Sequence, residues 1–132
     1  MTLDVEVAGL ERAGGGLVAA DVEQLISLAL ASAGIEDGHV AVSLVDVEEI
    51  RALNREHRRR DEPTDVLSFP VDGAEPAAGP RELGDVVICP PQTEDLREAV
   101  VHGALHLVGM DHETDDGEML TLQREILRWV EP

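Results

Sequence analysis

The stretch HGALHLVGMDH, residues 102–112, places three of the chain's five histidines close together. His102 and His106 are four residues apart in a segment with helical periodicity. Their side chains are therefore expected on one helix face, with Cβ atoms about 5–6 Å apart. Two imidazoles at that separation can bind one zinc ion at about 2.0–2.1 Å. The pair alone is weak evidence for a metal site, and the third histidine strengthens it.

That third histidine, His112, can join the pair only if the helix ends before it. In a continued helix it would lie about 9 Å beyond His106 along the axis and about 240° further round. Gly109 removes the obstacle, because glycine readily adopts the left-handed conformation that ends a helix and lets the chain fold back. The pattern H-x-x-x-H-x-x-G-x-x-H therefore predicts a three-histidine site. The alternative is a helix end whose histidines are partly buried or cap carbonyl groups.

Three histidines leave a tetrahedral ion one open position, which is the arrangement of a catalytic zinc that activates water and polarises a carbonyl or phosphoryl oxygen. A closed structural site would need a fourth ligand. Cys89 is the only thiol, and its place at the end of an apolar strand favours packing instead. Zinc proteases share the spacing but carry a general-base glutamate where this chain has Gly103. Asp111 is a candidate partner to orient a ligand imidazole, and a weaker candidate for the base.

The positions of the charged residues say more about possible partners than the net charge does. The formal net charge is −18, which argues against nonspecific attraction to nucleic acid. Half of the ten basic residues, all arginines, lie in RALNREHRRR, residues 51–60. This cluster is either a helix end whose cations complement the helix dipole or a patch that faces an anion.

Length and composition predict one domain over residues 1–132, with a core of aliphatic side chains. A single cysteine excludes an internal disulfide framework and suits a reducing compartment. The N-terminal residues lack the pattern of a signal peptide, and no apolar run approaches the roughly 18 residues that cross a bilayer. The sequence therefore predicts a soluble cytoplasmic protein without membrane contact.

Hydrophobic periodicity predicts four strands and four helices, an α+β or mixed α/β fold with one small four-stranded sheet packed against helices. Asp21, Asp46 and Thr93 are the expected helix N-caps, and Trp129 is expected on the apolar side of the last helix. The strands are predicted at residues 3–8, 39–45, 64–69 and 84–89. The helices are predicted at residues 22–34, from residue 46 into the arginine cluster, at 93–108 and at about 115–130. Residues 71–83 are predicted to form an exposed loop.

Three segments together resemble the YbeY endoribonucleases, a family of bacterial rRNA maturation factors. HGALHLVGMDH is similar to that family's H-G-x-L-H-L-x-G-x-D-H signature. LNREHRRRDEPTDVLSFP, residues 53–70, looks like L-N-x-x-[aromatic]-R-x-x-D-x-P-T-[DN]-V-L-S-F-P, and LGDVVIC, residues 83–89, looks like L-G-D-I-x-I. The three occur in the family's order. One departure is His57, which stands where the family usually has an aromatic residue.

The resemblance implies metal-dependent cleavage of single-stranded RNA in 16S rRNA 3′-end processing and ribosome quality control. The expected partners are rRNA and the small ribosomal subunit or its associated proteins, and DNA is not an expected substrate. The alternatives are a metal-dependent hydrolase of peptides or small molecules and a non-enzymatic ribosome-assembly factor stabilised by zinc. The site residues implied or suggested are His102, His106 and His112 as ligands of one Zn²⁺ per chain, Arg58 as catalytic, and Arg55, Arg59 and Ser68 as RNA-binding.

Overall fold

The described part of the chain forms four α-helices and a four-stranded mixed sheet, which confirms the predicted fold class. The computed structural model describes residues 3–71, 81–111 and 115–130, so most of the loop predicted at 71–83 lies outside the described residues. In chain order the elements are β1 (Leu3–Ala8), α1 (Ala19–Ala31), β2 (Gly38–Leu44), α2 (Val47–Arg58), β3 (Val66–Pro70), β4 (Glu82–Ile88), α3 (Leu96–Leu107) and α4 (Glu118–Trp129), with short 3₁₀ helices at Leu10–Ala13 and Pro90–Gln92.

The sheet has the strand order β1-β2-β4-β3, and its edge strand β3 runs antiparallel to the other three. Alternate residues of β2, namely Val40, Val42 and Leu44, are buried in the main core, as their period of two predicts. That core also holds the buried faces of α1, α3 and α4. Because α3 contacts both β4 and β3, its middle lies over the antiparallel side of the sheet.

A second, smaller core fills the space between α2 and the opposite face of the sheet. It contains Ile50 from α2, Leu67 from β3, and Val87 and Cys89 from β4 and its end. Cys89 is fully buried there, and burial raises the pKa of its thiol. The thiol therefore belongs to an apolar cluster separate from the core that holds α3. Among the described helices, none combines the length and apolar character needed to cross a membrane.

Two of the three predicted N-caps are wrong. Asp46 does cap α2, and its carboxylate accepts a hydrogen bond from the N–H of Glu49 at 2.8 Å. Asp21 lies inside α1, in the first turn, because the helix begins three residues earlier than the periodicity predicts. Thr93 is replaced as the cap of α3 by Asp95, whose carboxylate accepts from two N–H groups of the first turn. The Thr93 hydroxyl instead donates to the carbonyl of Cys89 at 2.7 Å.

The apolar side of α4 also differs from the prediction at its end. Met119 and Ile126 are fully buried as expected, whereas Trp129 is 59% exposed. With 3.6 residues per turn, the buried face that starts at Met119 passes closer to Val130 than to Trp129. Val130 accordingly packs against the main core.

Helix α3 packs closely against the sheet at Gly103. A Cβ atom built on Gly103 would lie 2.5 Å from Val86 Cγ1 and 3.2 Å from Val66 Cγ2. The Ser68 hydroxyl donates to the Gly103 carbonyl at 2.9 Å, which ties β3 to the middle of α3. Any side chain at position 103 would therefore begin by pointing into the sheet. The missing glutamate of the protease pattern is thus replaced by a glycine that close packing requires.

We predict that Gly103→Ala destabilises the protein by about 1–3 kcal/mol through overpacking against Val86. Helix propensity alone predicts that this substitution stabilises the protein, since alanine is favoured over glycine by about 1 kcal/mol in a helix interior. Urea unfolding of the variant measures the difference. In a Val86→Ala background the cost of Gly103→Ala should shrink, because the new methyl group enters the vacated space. An unchanged cost in that background would contradict a steric origin.

Candidate metal centre

The imidazoles of His102 and His106 meet on one face of α3, one helical turn apart. Their Nε2 atoms are 3.2 Å apart, and the rings lie 4.7 Å apart between centroids at an interplanar angle of 76°. A tetrahedral ion with bonds of about 2.0–2.1 Å holds two of its ligand atoms about 3.3–3.4 Å apart. The two nitrogens therefore have nearly the separation that one zinc ion requires. Both side chains are half-buried, which keeps the pair ordered and accessible.

The turn after α3 has the geometry expected at Gly109. This glycine has φ of +95°, and its N–H donates to the carbonyl of His106 at 3.0 Å. The N–H of Met110 donates to the carbonyl of Leu105 at 3.1 Å. These two bonds form a Schellman motif, which ends the helix and turns the chain. His112 lies outside the described residues, so its place as third ligand stays a prediction.

His102 also contacts a residue that the histidine pattern does not reveal. This residue is a glutamine of α4. Gln123 Oε1 lies 2.9 Å from His102 Nδ1, on the side of the ring away from His106. Gln123 is one of the few buried polar residues among those described, at 5% exposure. The signal in the sequence was its position, between Met119 and Ile126 on the apolar face of a helix.

A cleft of about 510 Å³ adjoins the histidine pair. Arg58, the last residue of α2, and Ser68 of β3 line it together with His102 and His106. Asp111, just after the turn, lines the same cleft. The structure therefore brings together five of the residues singled out in the sequence, while Arg55 and Arg59 are not part of the lining. The Ser68 hydroxyl donates its proton to the Gly103 carbonyl, so the Ser68 oxygen can still accept a hydrogen bond.

The arginine cluster is largely neutralised by its own neighbours. Arg51 forms a two-point ion pair with Asp61, at 2.9 and 3.2 Å, and Arg55 lies 3.6 Å from the same carboxylate. This hydrogen bonding raises the pKa of Arg51 and lowers the pKa of Asp61. Arg60 is paired more loosely with Glu62, at 3.9 Å.

Two arginines of the cluster, Arg58 and Arg59, form no ion pair with any described residue. Arg59 ends α2 in the left-handed conformation, with φ of 58°, and is the only described non-glycine residue with positive φ. The chain reverses there and leaves Arg58 at the cleft. His57, the departure from the family pattern, packs edge-on against Phe69, with ring centroids 4.8 Å apart.

A second group of possible ligands lies elsewhere, on the exposed part of the sheet. In residues 3–71, 81–111 and 115–130 it is the one set of three metal-binding side chains with ligand atoms within 4.8 Å of one another: Asp4, Glu6 and His39. Glu82 joins them, with its carboxylate 2.7 and 3.0 Å from His39 Nδ1. The hydrogen bond with Glu82 and the charges of the three carboxylates raise the pKa of His39. A protonated imidazole can therefore satisfy this group without a metal ion.

The chain is similar to known proteins over nearly its whole length. The family model described as Endoribonuclease YbeY matches residues 16–131. A protein named Endoribonuclease YbeY from Rubrobacter xylanophilus is 40% identical, with 98% of each chain covered. One of the same name from Geobacillus thermodenitrificans is 41% identical over 80% of this chain and 82% of its own. The solution structure of TM1509 from Thermotoga maritima superposes with a TM-score of 0.56 at 28% identity, covering 94% and 87% of the two chains.

We predict that His39 stabilises the fold more at low pH than at high pH. A histidine whose pKa is raised by folding stabilises the folded state in full below its unfolded pKa, about 6.5, and loses that contribution as the pH rises through the folded pKa. The difference in unfolding free energy between wild type and His39→Gln should therefore be larger at pH 6 than at pH 9. Urea titrations at both values measure it. Glu82→Gln should reduce the pH dependence, and an equal difference at both pH values would contradict the prediction.

Proposed function

The chain belongs to the endoribonuclease YbeY family and is an endoribonuclease, and we propose that it uses one zinc ion to cut single-stranded rRNA. The observation that carries the proposal is the convergence of two Nε2 atoms, 3.2 Å apart, on a cleft that also contains the Arg58 side chain. A cation site next to an arginine suits an ester of phosphoric acid, because both can stabilise the negative charge that develops on its oxygens.

The proposed zinc ligands are His102 and His106 from α3 and His112 from the segment that follows. Nitrogen ligands from three histidines suit zinc and leave a position for substrate or water. When bound, zinc supplies Lewis acidity toward a phosphoryl oxygen and makes water acidic enough to attack near neutral pH. Cys89 is buried in the other core, so it is not proposed as a fourth ligand.

The Arg58 guanidinium is the proposed catalytic group on the protein side. It lies at the end of α2, lines the cleft and has no carboxylate partner among the described residues, so its donors can bind phosphate oxygens. A guanidinium can hold two such oxygens at once and stays charged at every relevant pH. Its role is to bind the scissile phosphate and to stabilise the charge that the equatorial oxygens gain during cleavage.

The size of the cleft favours an unpaired strand as the substrate. A volume of about 510 Å³ is that of a small-molecule site. An extended strand can place one or two nucleotides in such a site, whereas a rigid duplex would be held at the rim. RNA single strands and ends are also the form in which proteins most readily reach individual nucleotides. We propose the 3′ end of 16S rRNA as the physiological target, with a role in ribosome quality control in the cytoplasm, and we expect no action on DNA.

The strong negative charge favours a partner in this reaction. With a net charge of −18, the isolated chain would bind RNA only through a small local surface. The small ribosomal subunit or a protein bound to it would present the RNA and supply the missing affinity. Hydrolysis of peptides is the weaker alternative, because the position of the protease glutamate is filled by Gly103 and faces Val86 of the sheet.

We predict that Arg58→Ala lowers kcat for cleavage of a single-stranded RNA by about 100-fold, which is typical for loss of one donor to a developing oxyanion. The melting temperature should change little, because Arg58 is exposed. Arg58→Lys should restore part of the rate, since it returns the charge without the two-point geometry. Arg128→Ala, an exposed arginine on α4, is the matched control.

His106→Ala in a nuclease-free, zinc-loaded preparation should abolish cleavage altogether. The enzyme mechanism proposed here fails if wild type leaves RNA intact and His106→Ala behaves like wild type in cells. If Arg58→Ala loses activity at an unchanged melting temperature, the result would count against the alternative of a non-enzymatic ribosome-assembly factor stabilised by zinc.

We predict that RNA binding by the isolated chain is weak and decreases as salt rises, with a slope set by few phosphate contacts. If only Arg58 and Arg59 neutralise phosphates, the slope of log K against log salt concentration should be about −1.4, from about −0.7 per contact on a single strand. Contacts by all five arginines of residues 51–60 would give about −3.5. Titrations of a catalytically inactive variant with labelled RNA from 50 to 300 mM salt distinguish the two. A slope of about −3.5 would contradict the prediction, and tight binding in moderate salt would contradict the proposed need for a partner.

A further inference from the structure

A polar side chain is buried where α4 packs against α3. Gln123 shares a helix face with Met119 and Ile126, which are fully buried. A buried amide is destabilising unless its polar atoms form hydrogen bonds. The bond that Gln123 Oε1 forms is with His102, the first of the two histidines at the proposed metal centre.

That hydrogen bond fixes which nitrogen of His102 carries the proton. Gln123 Oε1 is a carbonyl oxygen and can only accept, so His102 Nδ1 must donate across the 2.9 Å contact. In the neutral ring, Nε2 then keeps its lone pair. Nε2 is also the atom that lies 3.2 Å from His106 Nε2. The contact with Gln123 therefore points the lone pair of His102 toward the place where the two histidines converge.

We propose that Gln123 is a positioning residue for the metal ion. It selects the tautomer of His102 that can bind a cation through Nε2, and it fixes the plane of the ring against rotation. This inference rests on the proposed function, because it requires a divalent ion at His102 and His106. Histidine ligands generally donate their second N–H to a partner of this kind, and loss of that partner weakens metal binding.

The same contact links metal binding to the last helix. Gln123 is on α4, which lies beyond the chain reversal at Gly109, whereas the histidine pair is on α3. An ion bound by His102 therefore stabilises the packing of α4 against α3 through the Gln123 amide. A ligand that binds only the folded arrangement stabilises that arrangement. Zinc should slow amide hydrogen exchange in α4 of the wild type, and should slow it less when the acceptor at position 123 is removed.

The decisive experiment compares Gln123→Leu with Gln123→Glu in the full-length chain. Leucine removes the acceptor but keeps an apolar contact with the core, while glutamate keeps an acceptor. The dissociation constant for Zn²⁺, measured by competition with a chromophoric chelator, should rise about 10–100-fold in Gln123→Leu and stay close to wild type in Gln123→Glu. The metal-free melting temperature of Gln123→Leu should not fall. Gln24→Leu makes the same substitution at an exposed position of α1, outside the lining of the clefts beside His102, and should bind Zn²⁺ like wild type.

A Gln123→Leu variant that binds Zn²⁺ as tightly as wild type overturns the proposal. So does a proton on His102 Nε2 in two-bond ¹H–¹⁵N spectra of the metal-free wild type, a measurement that needs no variant to fold. The two levels of inference can be told apart with His106→Ala. If His106→Ala and wild type bind Zn²⁺ equally, the proposed metal centre itself fails. If His106→Ala loses Zn²⁺ and Gln123→Leu does not, only the role of Gln123 fails.

Discussion

The close packing of α3 on the sheet at Gly103 is the constraint on which the site depends. With 2.5 Å between a would-be Cβ atom and Val86 Cγ1, the helix can lie this near the sheet only because position 103 has no side chain. The Ser68 hydroxyl holds the Gly103 carbonyl from the neighbouring strand. Since position 103 faces the sheet, the residue before it and the residue three places after it face the cleft. The histidine pair therefore lies at the cleft because Gly103, between the two histidines in the sequence, has no side chain and lets α3 pack close to the sheet.

Two helices end beside this cleft, and both endings favour cations there. α2 ends at Arg58, with Arg59 in the left-handed conformation, and α3 ends before Gly109, which adopts a similar one. The C-terminal end of a helix carries partial negative charge, so each stabilises a positive group nearby. For α2 that group is its own arginine, and for α3 it would be the ion bound by the histidine pair. Under the proposed function, the two helix ends would therefore bring Arg58 and the bound ion to the same cleft.

The parts of the fold that could be predicted from the sequence are those set by local periodicity. The strands with alternating burial and the Gly109 turn follow from rules that act within a few residues. The errors at Asp21, Thr93 and Trp129 lie at helix ends, where tertiary contacts decide between neighbouring candidates. The helix face of the histidine pair was predictable for the same local reason as the strands.

The partner of His102 could not be predicted, because it comes from a different helix. Gln123 is separated from His102 by 21 residues, and no spacing rule connects them. Only the placement of a polar residue between Met119 and Ile126 marked the position as unusual. Ion pairs within the arginine cluster were equally hidden. Asp61 pairs with Arg51 and Arg55 across a chain reversal whose shape depends on Arg59.

The distribution of charged residues between two clefts bears on how so acidic a chain acts on RNA. His102 lines a second cleft of about 480 Å³ on its other side. Glu94, Asp95 and Glu98 line only that cleft, whereas Asp65 lines both clefts and Asp111 lines the cleft of Arg58. Under the proposed function, the strand would therefore approach the histidine pair from the side of Arg58, because the other cleft has more carboxylates and no arginine. The net charge then restricts the path of the substrate instead of opposing its binding, and the few unpaired arginines suffice to define the entrance.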